Sequence, residues 1–160
     1  MEILDLYDNN FKKLNKTIVR RIDEIPKDTN IMLSYTIIKN GDKYLLEQTT
    51  SRNGYKWCFA GGHLQHNEDD LMAIKRELKE EIGLTDIKPT KIDMLKYPDK
   101  NFIFNIYLIT EDININKLQI QKEEVTKVEW FTKKDLVTLL ENDAILEPHT
   151  LIIRKYIFKR

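Results

Sequence analysis

Short apolar runs separated by polar turns divide this chain. Ile31 to Ile38 (I-M-L-S-Y-T-I-I), rich in β-branched and aromatic residues, predicts a strand. Asn40-Gly41 then gives a hairpin-turn signal, and Lys43 to Gln48 returns as a second strand. Thr49 to Tyr55 is polar and contains Gly54, so it predicts an exposed loop. Tyr55 to Ala60 reads as a short strand feeding Gly61-Gly62, where the paired glycines let the backbone turn sharply and approach a ligand. Good helix formers dominate Glu68 to Ile82, with Asn67 as N-cap and Gly83 as stop. Leu71, Ile74, Leu78 and Ile82 form the face that anchors this helix on a sheet.

Beyond the helix, Ile87 to Tyr97 contains one strand interrupted by Pro89, and Phe102 to Thr110 another. Glu111 to Lys122 is a polar connector, and Val125 to Phe131 a last strand with Trp130-Phe131 in the core. Thr132 and Asp135 open a further helix as a near capping box, with Leu136, Leu139 and Leu140 on its apolar face. Pro148 breaks the chain, and Thr150 to Phe158 reads as a final amphipathic helix. Ahead of all this, Asp8-Asn9-Asn10 marks a turn, and Ile18, Val19 and Ile22 a short strand. The order predicts an α/β fold, a mixed sheet covered by helices. Residues 1–160 read as a single domain, with 1–30 an N-terminal extension packing on it.

Composition narrows the classes. The 26 basic and 26 acidic residues cancel, so no global charge drives the chain to nucleic acid or an anionic membrane. No apolar run reaches the length of a membrane span, and no signal-peptide pattern opens the chain. Cys58 is the only cysteine, which excludes an intrachain disulfide and makes the cytoplasm the expected setting.

One helix carries its charges in the wrong place. Glu77, Glu80 and Glu81 share a face, repel one another, and sit near the negative end of the helix dipole. A cation supplied from outside the sequence would remove the conflict. Hard oxygen ligands select Mg²⁺ or Mn²⁺, and magnesium takes one or two carboxylates beside waters and substrate phosphates. A divalent ion there would polarise a diphosphate and lower the pKa of a bound water. The reaction that fits is attack of water on phosphorus in a diphosphate linkage.

The stretch Gly62 to Leu84 resembles the signature of Nudix hydrolases, G-x5-E-x7-R-E-U-x-E-E-x-G-U, with U a bulky aliphatic. Gly62, Glu68, Arg76, Glu77, Leu78, Glu80, Glu81, Gly83 and Leu84 fill every specified position. The resemblance covers roughly Ile31 to Leu140 and implies a Nudix-like α/β/α sandwich with a mixed β-sheet. It implies a bacterial, metal-dependent pyrophosphohydrolase of a small-molecule nucleoside diphosphate linked to another moiety. On the same footing, Glu77, Glu80 and Glu81 match metal-binding positions, with Glu77 a base or water-orienting group in some members. A backbone carbonyl near Ala60 or Gly61 joins them. Arg76 holds the catalytic glutamate, Glu68 is structural, and Gly62 and Gly83 have backbone roles. A further carboxylate outside the signature is expected at Glu123 or Glu124. The chain departs from many members in having Ala60 before the glycines and His63-Leu64 after them.

Arg52, Lys56 and His63 are the side chains expected to meet an anionic substrate; the competing reading for each is ordinary solvated loop charge. His66 reads as a surface histidine, and Tyr55, Trp57 and Phe104 as core aromatics able to stack on a base. Cys58 lacks a His or Asp at activating spacing and reads as a small buried residue. The opening L-D-L-Y-D is similar to the leader of isopentenyl-diphosphate isomerase-like Nudix proteins; an extra hairpin covering a sheet edge or a homodimer surface accounts for it better than a catalytic part does. Isomerisation of isopentenyl diphosphate is therefore one alternative, although those isomerases use a cysteine and altered metal positions. A non-catalytic, nucleotide-ligand-binding Nudix domain is the other, although such domains often lose the glutamates present here.

Overall fold

The computed structural model describes residues 1–159. Its organising strand is β3 (Ile31–Asn40), reached after a hairpin of β1 (Ile3–Tyr7) and β2 (Lys13–Val19). β4 (Lys43–Gln48) follows across Gly41, whose φ of +60° suits the tight turn. Next come β5 (Trp57–Cys58), β6 (Ala60–His63), α1 (Asp70–Ile82), β7 (Thr90–Lys96), β8 (Phe102–Ile109) and β9 (Lys127–Thr132). α2 (Lys133–Glu141) and α3 (Glu147–Ile152) close the chain, α3 running into a π-helical turn over Ile153–Ile157.

The sheet is mixed. β3 pairs in parallel with β8 from Ile31↔Phe102 to Ile38↔Ile109, and every other ladder is antiparallel. On its other edge β3 is shared: β6 takes Leu33 to Thr36, and β4 takes Ile38 to Asn40. The sheet forks at that point, with β4 carrying β5 and β9 away from β6. Period two then assigns the faces. Leu33, Ile37, Tyr44, Leu46, Phe104 and Ile106 pack with Leu136, Ile152 and Ile153 of the C-terminal helices. Ile38, Leu45, Tyr107 and Ile109 pack with Ile74, Leu78 and Ile82 of α1. Helices thus cover both faces, as expected.

Several boundaries differ from the sequence reading, each for a local reason. α1 starts at Asp70, because Asn67 has φ +62° and Asp69 Oδ1 accepts from Met72 N at 2.8 Å as the cap. Glu68 is therefore outside the helix. Leu71 is 39% exposed, and Ala73 takes the buried position beside Ile74. Gly61-Gly62 form no turn: they are strand residues, paired with Tyr35 and Ser34. Pro148 sits in the first turn of α3, where a missing N–H costs nothing, so it starts that helix rather than breaking the chain.

The N-terminal hairpin is more regular than the pattern foretold, and Ile22 is exposed beyond it. Leu4, Leu6 and Ile18 join the main core. Tyr7 and Asn30 exchange backbone bonds of 2.8 Å each way. Asp5, 2% exposed, accepts from Asn67 N at 2.9 Å and pairs with Lys13, while one of its oxygens lies 2.7 Å from His66 Nδ1. The hairpin is thereby tied to the loop between β6 and α1. Among the described residues no helix is long and apolar enough to cross a membrane.

Candidate active site

β6 and α1 pack so closely that the signature glycine is forced. A Cβ on Gly62 would stand 2.6 Å from Glu77 Oε1. Gly61 has a separate reason: φ is +149°, and a Cβ would meet the Ser34 carbonyl oxygen at 2.0 Å. Gly83, with φ +68°, ends α1 by donating to Lys79 O, while Leu84 N reaches Leu78 O. The next carbonyls are taken from outside: Gln119 N donates to Ile82 O at 3.0 Å and Gln121 N to Glu81 O at 2.8 Å. That pins the loop before β9 onto the end of α1.

Arg76 organises the carboxylates. Nε and Nη2 clamp Glu68 at 2.6 and 2.9 Å, Nη2 also reaches His63 O at 3.0 Å, and Nη1 reaches Glu77 Oε1 at 3.0 Å and Glu80 Oε2 at 3.2 Å. All five guanidinium N–H groups are used, a fork lysine could not supply. Glu68, held also by Gln65 N, is an anchor for Arg76 rather than part of the reacting face. Burial pushes Glu77 up to about 7, against the pull of Arg76 and with Glu80 and Glu2 adding repulsion. Glu80 is half exposed at the rim.

Glu81 lies deepest. Its Oε1 accepts from Gly61 N at 3.1 Å, which ties it to β6. Glu47, on β4, faces it. Burial and the neighbouring carboxylates push both members of the pair up. No ion pair among the described residues includes either one.

These groups line a cavity of about 420 Å³, large enough for a small molecule. Glu124 lines it and Glu123 does not. His63 lines it, and burial together with Arg20, Arg21 and Arg76 pushes its imidazole down to about 3, so it is neutral. Arg52 and Lys56, expected near the substrate, are absent from the lining, and Lys56 pairs with Asp143 at 3.2 Å. Besides Arg76, the cation lining the cavity is Arg20, 3.0 Å from Glu2, both flanking the N-terminal hairpin. His149 forms part of the wall: Phe59 N donates to its Nδ1 at 3.0 Å, and burial pushes it down to about 3. Tyr55 is exposed, and Trp57 and Phe104 are buried in the core. Sequence reading missed Glu47, Arg20 and His149. Only Glu47 left a trace there, a carboxylate ending the apolar run Tyr44-Leu45-Leu46.

Among the described residues no group of three or more His, Cys, Asp or Glu side chains is arranged to hold a metal ion by itself. The open arrangement nevertheless fits Mg²⁺ or Mn²⁺, which accept few protein carboxylates and complete their shell with water and substrate oxygens. Glu81 and Glu47 supply hard oxygens that no protein cation neutralises.

A family model described as NUDIX domain matches residues 33–151. A nucleoside triphosphatase NudI from Enterobacter sp. (strain 638) is 32% identical over 121 residues, covering 68% of this chain and 86% of that protein. The uncharacterized Nudix hydrolase lin0387 of Listeria innocua is 29% identical over 87% of this chain and 85% of its own. In fold the chain is similar to DR0079 from Deinococcus radiodurans, with TM-score 0.80 at 15% identity over 97% and 99% of the two chains.

Proposed function

We propose that this chain, which belongs to the Nudix hydrolase family, hydrolyses a diphosphate linkage in a nucleoside diphosphate derivative, using Mg²⁺ or Mn²⁺. The observation that carries the reading is Glu81, in no ion pair among the described residues, beside an Arg76-anchored Glu77, both facing one cavity. The name of the similar NudI protein, a nucleoside triphosphatase, brings nucleoside triphosphates into the substrate class. The reading takes 1–160 as one Nudix-type domain in a cytoplasmic setting.

Glu81, with Glu77 and Glu80 beside it, would hold the metal, which would supply charge neutralisation of the diphosphate and acidification of a water. The chain's own residues do the rest. Arg76 fixes the Glu77 carboxylate by a charge-assisted bond, which sets direction as well as charge. Glu77, fixed by Arg76 and facing the cavity, would accept a proton from the attacking water. Glu124 is a second acceptor on the opposite loop. Arg20 offers a cation to the substrate phosphates, and neutral His63 leaves that charge unchanged. Cleavage needs no nucleophile from the protein.

A Mg²⁺-dependent screen over nucleoside triphosphates and nucleoside diphosphate derivatives, run with Glu81→Gln, tests this. Loss of at least roughly 10- to 100-fold is expected on removing the carboxylate; undiminished activity on every substrate would sink the mechanism. Cys58 lines the same cavity and gives the isomerase alternative its foothold. Burial and Glu47 keep its thiol protonated, and allylic isomer formation abolished by Cys58→Ala would favour that alternative.

A further inference from the structure

Glu47 lies outside the signature, and the chemistry above gives it no task. β4 alternates its side chains, and Leu45 packs against Ile74, Leu78 and Ile82 of α1. Period two puts Glu47 on that same face, where it meets Glu81. Glu47 is 5% exposed and lines the cavity, and its Oε2 has no hydrogen-bond partner. Its Oε1 has the Cys58 thiol at 3.9 Å, a weak donor. The other buried oxygens without partners, on Asn30, Thr36 and Asn105, are neutral and do not line this cavity.

A carboxyl in a buried strand with no neighbour but a thiol and a second carboxyl is costly, and an apolar residue like Leu45 would fill the position without that cost. A hard carboxyl oxygen facing a cavity beside a second carboxyl is a cation ligand in kind. We propose that Glu47 is a further ligand of the divalent metal, binding it together with Glu81 across the gap between β4 and α1. The proposal rests on the metal-dependent reading above. Its rival is that Glu47 merely supports Glu81 by a hydrogen bond. An amide donor at position 47 would do that equally well, and it separates the two.

The test titrates the full chain with Mn²⁺ alone, following free ion by electron paramagnetic resonance, in the unmodified protein, Glu47→Gln and Glu81→Gln. Circular dichroism and metal-free melting establish that each is folded. Glu47→Gln is expected to weaken Mn²⁺ binding by about tenfold or more. Binding at the unmodified affinity overturns the proposal, and if Glu81→Gln alone loses binding, the metal-dependent reading survives without Glu47. No Mn²⁺ binding by the unmodified protein overturns both. Should Glu47→Gln fail to fold, crystals of the unmodified chain soaked in Mn²⁺ decide. An anomalous peak within about 2.5 Å of a Glu47 carboxylate oxygen supports the ligand, and one at Glu81 but beyond about 4 Å from Glu47 overturns it.

Discussion

A Cβ on Gly62 would press on the Glu77 carboxylate, whereas one on Gly61 would press on the backbone of β3. Gly62→Ala is therefore expected to fold and to lose activity by roughly 100-fold, since a displacement of about 1 Å at a reacting group has that effect. Gly61→Ala is expected to lower stability by roughly 1–3 kcal/mol, because the positive φ and the clash with Ser34 O cannot be relieved by a side-chain movement. Thermal unfolding beside steady-state kinetics distinguishes the two. His149 gives a pH signature. Folded, it stays neutral down to about 3; unfolded, it binds a proton below its ordinary 6.5. The unfolded state holds more protons between those values, so stability falls as pH is lowered through the interval, by about 1.4 kcal/mol per pH unit. His63 acts in the same direction. His149→Phe is expected to reduce the slope of unfolding free energy against pH by one proton's worth; an unchanged slope would contradict the buried neutral imidazole.

At the scale of elements, the signature helix shows how little of its start was set by helix propensity. Glu68 is a good helix former, but its carboxylate is committed to Arg76 and Gln65 N, and Asp69 supplies the cap instead. Asp69→Ala is expected to cost about 1 kcal/mol in denaturant unfolding, with little effect on activity. The C-terminal end was readable, because Gly83 is required by its own backbone conformation. The box Thr132–Asp135 was readable for the same reason: both of its bonds are local. Gly61-Gly62 misled, because a strand that must lie against a helix looks in sequence like a turn.

Over the whole molecule, the N-terminal hairpin is part of the site. It reaches the cavity through Arg20 and Glu2 and is fastened to the loop ahead of α1 through Asp5. Arg20→Ala is expected to raise KM about tenfold with kcat little changed, since a hydrogen bond to a charged group is worth about 1.5–3 kcal/mol; an unchanged KM would remove the hairpin from substrate binding. The sequence by itself determined the mixed α/β class and the Arg76–Glu77–Glu80–Glu81 helix face, because strand alternation, helical spacing and terminal charge are written within a few residues of one another. Only the tertiary structure decided that Glu47 stands against Glu81, that Arg20 rather than Arg52 or Lys56 faces the cavity, and that Glu124 rather than Glu123 lines it. Those choices follow from sheet register and from how the loop before β9 is pinned to α1, and contacts between residues so distant in the chain leave no local pattern to read.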